Sequence, residues 1–213
     1  MDEARMRAQQ AVRDMRARCR RLGDDGLDLI LREARSHYAW TDRPISEAEI
    51  RDLYDAVKMG PTSMNGCPAR FVFVTSEESR KRLAPCLKPG NVDKMMSAPL
   101  TVIVAHDVEF WRHLAMLHAH DDMSAMFRDD PAKAEIAAFR NATLQGAYLI
   151  IAARAMGYDV GAMSGFSNEK VDAEFFAGTS WRSNFLCNIG YADETALFQR
   201  LPRFAFEDAC DII

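Results

Sequence analysis

The sequence predicts an α+β fold, and three observations carry that expectation. Apolar residues recur at three-to-four spacing in some segments and in short continuous runs in others. Helical and strand-like stretches are interspersed without the regular βαβ alternation of a parallel sheet. One helical pattern, from about Pro131 to Ala155, is far longer than the rest. The chain has 213 residues, 48% hydrophobic and 27% charged, the balance of an ordinary globular protein. Neither repeats nor a low-complexity linker divides it, so one main domain over residues 26–213 behind a basic extension at 1–25 is the simpler reading.

Taken in order, the first clear helix carries Leu27, Ile30, Leu31 and Ala34 and runs out near Arg35-Ser36-His37. In the second, Ser46 and Glu49 form a capping box and Ile45 and Ile50 a hydrophobic staple; Leu53, Tyr54 and Val57 line one face until Gly60-Pro61. Pro61 to Pro68 is a loop of turn formers and short polar side chains, followed by a strand at Phe71 to Thr75. Ser76 to Leu87 reads as a surface helix, Lys88 to Lys94 as a glycine-containing loop and Pro99 to Ala105 as a buried strand. A weaker helical region spans Val108 to Phe127. The long helix opens on Pro131, a suitable first-turn residue, and Gly157 lies just beyond its end. Its apolar positions include Ile136, Phe139, Leu144, Tyr148 and Ile151, with alanines and Gly146 keeping it slim. Strands at Tyr158 to Met163 and Phe185 to Tyr191 flank a short helix near Asn168 to Phe176.

Charge and composition narrow the function. With 27 basic and 31 acidic residues the net charge is -4, which offers no whole-molecule field for nucleic acid or anionic lipid. Met1 to Arg21 nevertheless holds seven arginines and three acids, against 20 basic and 28 acidic residues in the remainder; a frayed or docked terminal helix is the expected form. Five scattered cysteines without a C-x-x-C pair argue for a reducing, cytoplasmic setting. No apolar run is long enough to cross a bilayer, and the first residues carry no apolar signal segment. Dinucleotide-fold, P-loop, nucleophile-elbow and zincin signatures are missing. His113, His118 and His120 with Asp121 and Asp122 are metal-ligand types, but no histidine pair has the i, i+4 helical spacing, so no metal is expected.

Arg35-Ser36-His37 places a guanidinium, a hydroxyl and an imidazole where a helix ends, chemistry suited to a phosphate dianion. With it stand Pro61-Thr62-Ser63-x-Asn65, Asn91-x-x-Lys94, Met163-Ser164-Gly165-Phe166 and Arg200-Leu201-Pro202. In their order and spacing these five motifs resemble the nitroreductase family of flavoproteins, over about Gly26 to Ile213. The wording of Lys58 to Ser63, Pro68 to Arg70, Ala138 to Asn141 and Asn188 to Tyr191 is closest to the RutE-like branch, assigned to malonic semialdehyde reduction in pyrimidine breakdown. That branch usually has proline where this chain has Ala162.

The resemblance implies a nitroreductase-like fold: a central antiparallel sheet surrounded by helices, in a domain-swapped homodimer with the sheet extended by the partner's C-terminal segment. It implies FMN, with Arg35, Ser36, His37 and Arg200 at the phosphate, Thr62, Ser63 and Asn65 near the ring and ribityl chain, Asn91 and Lys94 at the pyrimidine edge, and Ser164 and Gly165 beside N5. It implies NADH or NADPH as reductant and ping-pong hydride transfer through N5 to a small acceptor, malonic semialdehyde giving 3-hydroxypropanoate. A general nitroreductase or quinone reductase, or a flavin- or metal-binding module without turnover, are the alternatives. No side chain stands out as a catalytic acid.

Overall fold

The computed structural model describes residues 3–118 and 121–213. The chain divides into two units, one ending at Ala34 and the other running from Arg35. In the first, α1 (Glu3–Arg18) and α2 (Asp24–Leu27) precede a π-helical turn at Asp28–Arg32, and none of the three buries a residue. α1 holds together through local pairs such as Arg7 with Glu3 at 2.9 Å, with Arg16 and Arg18 complementing its C-terminal dipole. The expected helix at Leu27 to Ala34 is this π turn; Arg32 bridges Asp28 and Asp24 at 3.0 Å each, while Leu29 and Leu31 stay exposed.

The second unit is a four-stranded antiparallel sheet between helical layers. After α3 (Glu47–Val57) come β1 (Ala69–Val74), α4 (Glu77–Leu83), α5 (Pro89–Met96) and β2 (Leu100–Asp107). The short α6 (Leu114–Leu117) and α7 (Ala125–Arg128) lead to α8 (Pro131–Ala155), β3 (Asp159–Met163), α9 (Asn168–Phe175), β4 (Trp181–Gly190) and finally α10 (Phe206–Ala209). The strand order is β1-β2-β4-β3, so β1 and β3 are the edges. β2 is buried at every position because helices cover both of its faces. Alternation along the strands sends Val102, Val104, Cys187 and Ile189 toward α3 and α8, and Ile103, Ala105 and Leu186 toward α4, α5 and α9. A third cluster joins Phe110, Leu114 and Phe127 to Ala134 and Ala138 of α8.

The capping box at Ser46 and Glu49 forms as expected, starting α3. Four expectations change. Lys88 to Lys94 is mostly helix: Pro89 opens α5 as a first-turn proline, so the Pro-Gly pair begins an element instead of a loop. The region from Val108 to Phe127 is broken into a 3-10 turn and two short helices, with residues 119 and 120 outside the described set. β4 starts at Trp181, four residues before the expected strand. The buried side of α8 is its small and polar one: Ala134, Ala138, Asn141, Ala142, Gln145, Gly146, Leu149 and Ala153 are covered, whereas Ile136, Phe139 and Leu144 are exposed. Small residues let α8 lie close on the sheet; a Cβ on Gly146 would come within 2.5 Å of the Phe185 ring.

Candidate functional site

At the β3 edge the segment from Arg35 runs beside the strand. Ser36 forms a parallel bridge with Val160, and the His37 amide donates to the Val160 carbonyl at 3.0 Å. Gly161 permits this approach, since a Cβ there would collide with the His37 carbonyl and reach 3.2 Å from the Trp40 ring. The His37 imidazole turns inward, with Nε2 3.2 Å from Asp159 Oδ1 and Nδ1 buried without a partner; Asp159 Oδ2 accepts from the Ala192 amide at 2.9 Å. Burial foremost, with Arg35 and Arg154 adding to it, holds the imidazole pKa below its ordinary 6.5 against the pull of Asp159. Near neutral pH it is therefore an uncharged ring beside a carboxylate. Ser36 stays exposed. The Arg35 guanidinium donates to the Phe198 carbonyl, two residues before Arg200, so the segments bearing both predicted phosphate arginines touch.

Across from this segment, the first turn of α5 meets the loop after β3. Asn91 Nδ2 donates to the Gly165 carbonyl at 3.0 Å, and the Lys88 amide donates to the same oxygen at 2.9 Å. A Cβ at Gly165 would collide with the Asn91 amide, which explains the glycine. Lys94 Nζ lies 3.4 Å from Asn91 Oδ1 and 4.8 Å above the Tyr38 ring. Ser164 is exposed, and among the described residues nothing engages the Ser164 or Gly165 amide N–H. A groove of about 350 Å³, lined by Thr143, Ala147, Met163, Ser164 and Phe185 among others, runs beside them. Arg35, Ser36, Asn91, Lys94, Ser164 and Gly165 thus gather at one edge of the sheet.

Thr62, Ser63 and Asn65 do not join them. Their loop leads into β1, at the opposite edge, three strand spacings or about 14 Å away. Met64, Asn65 and Cys67 all have positive φ, at 55°, 52° and 40°. That conformation is held by the Ser63 amide donating to Asn141 Oδ1 at 2.8 Å, Asn65 Nδ2 donating to the Leu117 carbonyl at 2.7 Å and the Cys67 amide donating to Thr62 Oγ1 at 3.1 Å. Gln145 Oε1, one turn along α8 from Asn141, accepts from the Ala69 amide at 2.9 Å. Asn141 stood in the sequence only as the end of the Ala138 to Asn141 wording and Gln145 not at all; two amides on the buried face of an otherwise small-residue helix were the available signal.

The remaining candidates lie away from the Lys94 cluster, on a segment that touches the Thr62 loop through the Leu117 carbonyl. His113, His118, Asp121 and Asp122 lie on the segment between β2 and α8, and His120 lies outside the described residues. Among the described residues no three His, Cys, Asp or Glu side chains converge as metal ligands. The buried Cys187 thiol has its pKa pushed up to about 12 by burial and is unreactive.

The nitroreductase family matches residues 31–191. A Burkholderia lata protein, provisionally named an NADH dehydrogenase/NAD(P)H nitroreductase, is 53% identical over 191 residues, covering 90% of this chain and 98% of that one. Two solved structures share the fold. A provisionally named nitroreductase from Bacillus subtilis has a TM-score of 0.82 at 18% identity, covering 90% of this chain and 100% of its own. Another, from Exiguobacterium sibiricum and solved in complex with FMN, has a TM-score of 0.77 at 20% identity, covering 91% and 99%. The match across most of the chain, and the half-identical relative, establish that this protein belongs to the nitroreductase family.

Proposed function

We propose that the chain is an FMN-dependent NAD(P)H oxidoreductase acting as a cytoplasmic homodimer, with a main domain at 26–213 behind a basic extension. The observation that carries this reading is the convergence of Asn91, Lys94 and the Ser164-Gly165 loop beside the Arg35 segment. The donors fit the group: two unengaged amides for a ring nitrogen, a cation for a pyrimidine edge, and guanidinium and hydroxyl groups for a phosphate. When bound, FMN supplies two-electron chemistry, taking hydride from a reduced nicotinamide and passing it to an acceptor. The protein's part is electrostatic and positional. Lys94 favours negative charge at the pyrimidine edge, Asn91 fixes the Gly165 carbonyl and so the direction of the neighbouring amides, and Arg35 and Arg200 hold the phosphate. His37 acts through its backbone bond to Val160 and the packing of its ring against Asp159, which stiffen the Arg35 segment. No nucleic acid, membrane or metal is required.

What one chain leaves open supports the homodimer. Thr62, Ser63 and Asn65 would reach a cofactor at Lys94 only from a second copy. Ile136, Phe139 and Leu144 on α8, and Phe198, Leu201, Phe204, Phe206, Ile212 and Ile213 in the C-terminal segment, are exposed apolar surface needing cover. A groove of about 750 Å³ beside edge strand β1, lined by Ile45, Ile50, Tyr54 and Phe73, suits the partner's C-terminal segment. For the acceptor we propose malonic semialdehyde, reduced to 3-hydroxypropanoate in pyrimidine degradation, on the motif wording of the RutE-like branch. The provisional name of the Burkholderia lata relative favours a second reading, nitroaromatic or quinone reduction.

The experiment is anaerobic titration of the purified yellow protein with NADH and NADPH, followed by reoxidation with each acceptor. Bleaching by nicotinamide is expected, with malonic semialdehyde the best oxidant. A protein without flavin, or with flavin that nicotinamide does not bleach, would overturn the oxidoreductase. A clear preference for nitroaromatics or quinones would overturn the acceptor alone.

A further inference from the structure

Thr101 on β2 and Asn188 on β4 are cross-strand partners on the face of the sheet that packs against α5. They are 0% and 1% exposed, and the next positions along that face, Ile103 and Leu186, are apolar. A buried amide in such surroundings is costly unless every hydrogen bond is made. These are made, and they run in one direction. Thr101 Oγ1 donates to Asn188 Oδ1 at 2.7 Å, and Asn188 Nδ2 donates to the backbone carbonyl of Lys94 at 3.0 Å. Trp40 Nε1 donates to the same carbonyl at 3.1 Å, and the Ser97 hydroxyl lies 3.5 Å away.

Lys94 sits in the last turn of α5, where a carbonyl has no partner within its helix and the backbone is free to fray. Water satisfies such a group on an ordinary surface helix, with no need for an amide in the core. Here two strand residues and an indole from the Arg35 segment fix the carbonyl, and with it the root of the side chain. That side chain places Nζ between Asn91 Oδ1 and the Tyr38 ring.

We propose that Asn188, held by Thr101, is a positioning residue that sets where the Lys94 ammonium stands at the flavin's pyrimidine edge. The inference rests on the FMN reading above and deepens it. The ammonium is worth most where negative charge develops on reduction, so displacing it weakens binding of reduced FMN more than of oxidised FMN.

The test measures the midpoint potential and FMN affinity of the holoprotein in wild type, Asn188→Leu, Lys94→Met and the double variant. Asn188→Leu keeps the branching and heavy-atom count of the side chain and removes both hydrogen bonds. Its preference for reduced over oxidised FMN should fall about tenfold, equal to about 30 mV for a two-electron couple, while oxidised FMN still saturates the site. In the Lys94→Met background the same change should add nothing, because the residue acts only through Lys94. Full additivity in the double variant would overturn the inference. So would an unchanged potential with a lowered melting temperature, the pattern of a merely structural amide. Should Asn188→Leu fail to fold, Thr101→Val takes its place, with a smaller shift of the same sign expected and no shift counting against the proposal. Wild-type protein that binds no FMN would overturn the functional reading together with the inference; normal wild-type holoprotein with unshifted variants would overturn the inference alone.

Discussion

Arg200 and His37 were both expected at the phosphate, and the proposed site keeps only Arg200 there. Arg35 and the segment leading to Arg200 meet through the Phe198 carbonyl, and two arginines converging on a dianion are hard to replace because each contributes charge-assisted bonds in a fixed geometry. Arg200→Ala should therefore purify with much less flavin, read from the ratio of flavin to protein absorbance; full occupancy and unchanged affinity would remove Arg200 from the site. His37 is turned away toward Asp159, and its depressed pKa makes it a stability element. In the unfolded chain the ring takes up a proton near its ordinary 6.5, in the folded chain only at lower pH. The unfolded state then binds more protons between those two values, so stability present above 6.5 is lost as the pH falls through that window. Thermal melts from pH 7 to 5 should show this loss in wild type and a flatter profile in His37→Gln. Equal slopes would mean that other groups carry the acid sensitivity.

Among the elements, α8 decides most of the architecture through what it lacks. Gly146 allows it to rest on Phe185, so Gly146→Ala should destabilise the fold by about 1–3 kcal/mol through overpacking, measured by urea unfolding of the apoprotein; a stabilised variant would mean that α8 has room to shift. This element also shows how far sequence pattern reaches. Its limits, Pro131 to Ala155, were legible because a first-turn proline and a long helical period mark them. Which side faced the sheet was not, because the larger apolar residues Ile136, Phe139 and Leu144 lie outside and alanines with Asn141 and Gln145 lie inside. Periodicity reports that surface will be buried, and not whether the same chain buries it. α5 was hidden for a local reason: Pro89-Gly90 fits a turn as well as a helix start, and burial of Met95 against the sheet favours the helix. The site motifs were visible as names in a row. Their supports, Asn188, Thr101 and Asp159, were not, since a lone polar residue in a strand gives no sign of what it reaches.

For the whole molecule, if the proposed site draws the Thr62 loop from one copy and Lys94 from another, the width of the sheet between them would tie cofactor retention to assembly. A dimer should persist in sedimentation at micromolar concentration, and dilution that dissociates it should release FMN at the same midpoint. A monomer that keeps its flavin would break that link. The free edge of β1 has a further, colloidal consequence. Among the described residues no strand neighbours its outer side, and it carries Phe71 and Phe73 beside a chain whose C-terminal segment leaves Phe204, Phe206, Ile212 and Ile213 bare. An unpaired, hydrophobic strand edge is a template for any other extended segment. Unassembled copies should thus leave solution by precipitating before they unfold. Soluble yield in a producing cell would then be governed by flavin supply and by how quickly two nascent copies meet.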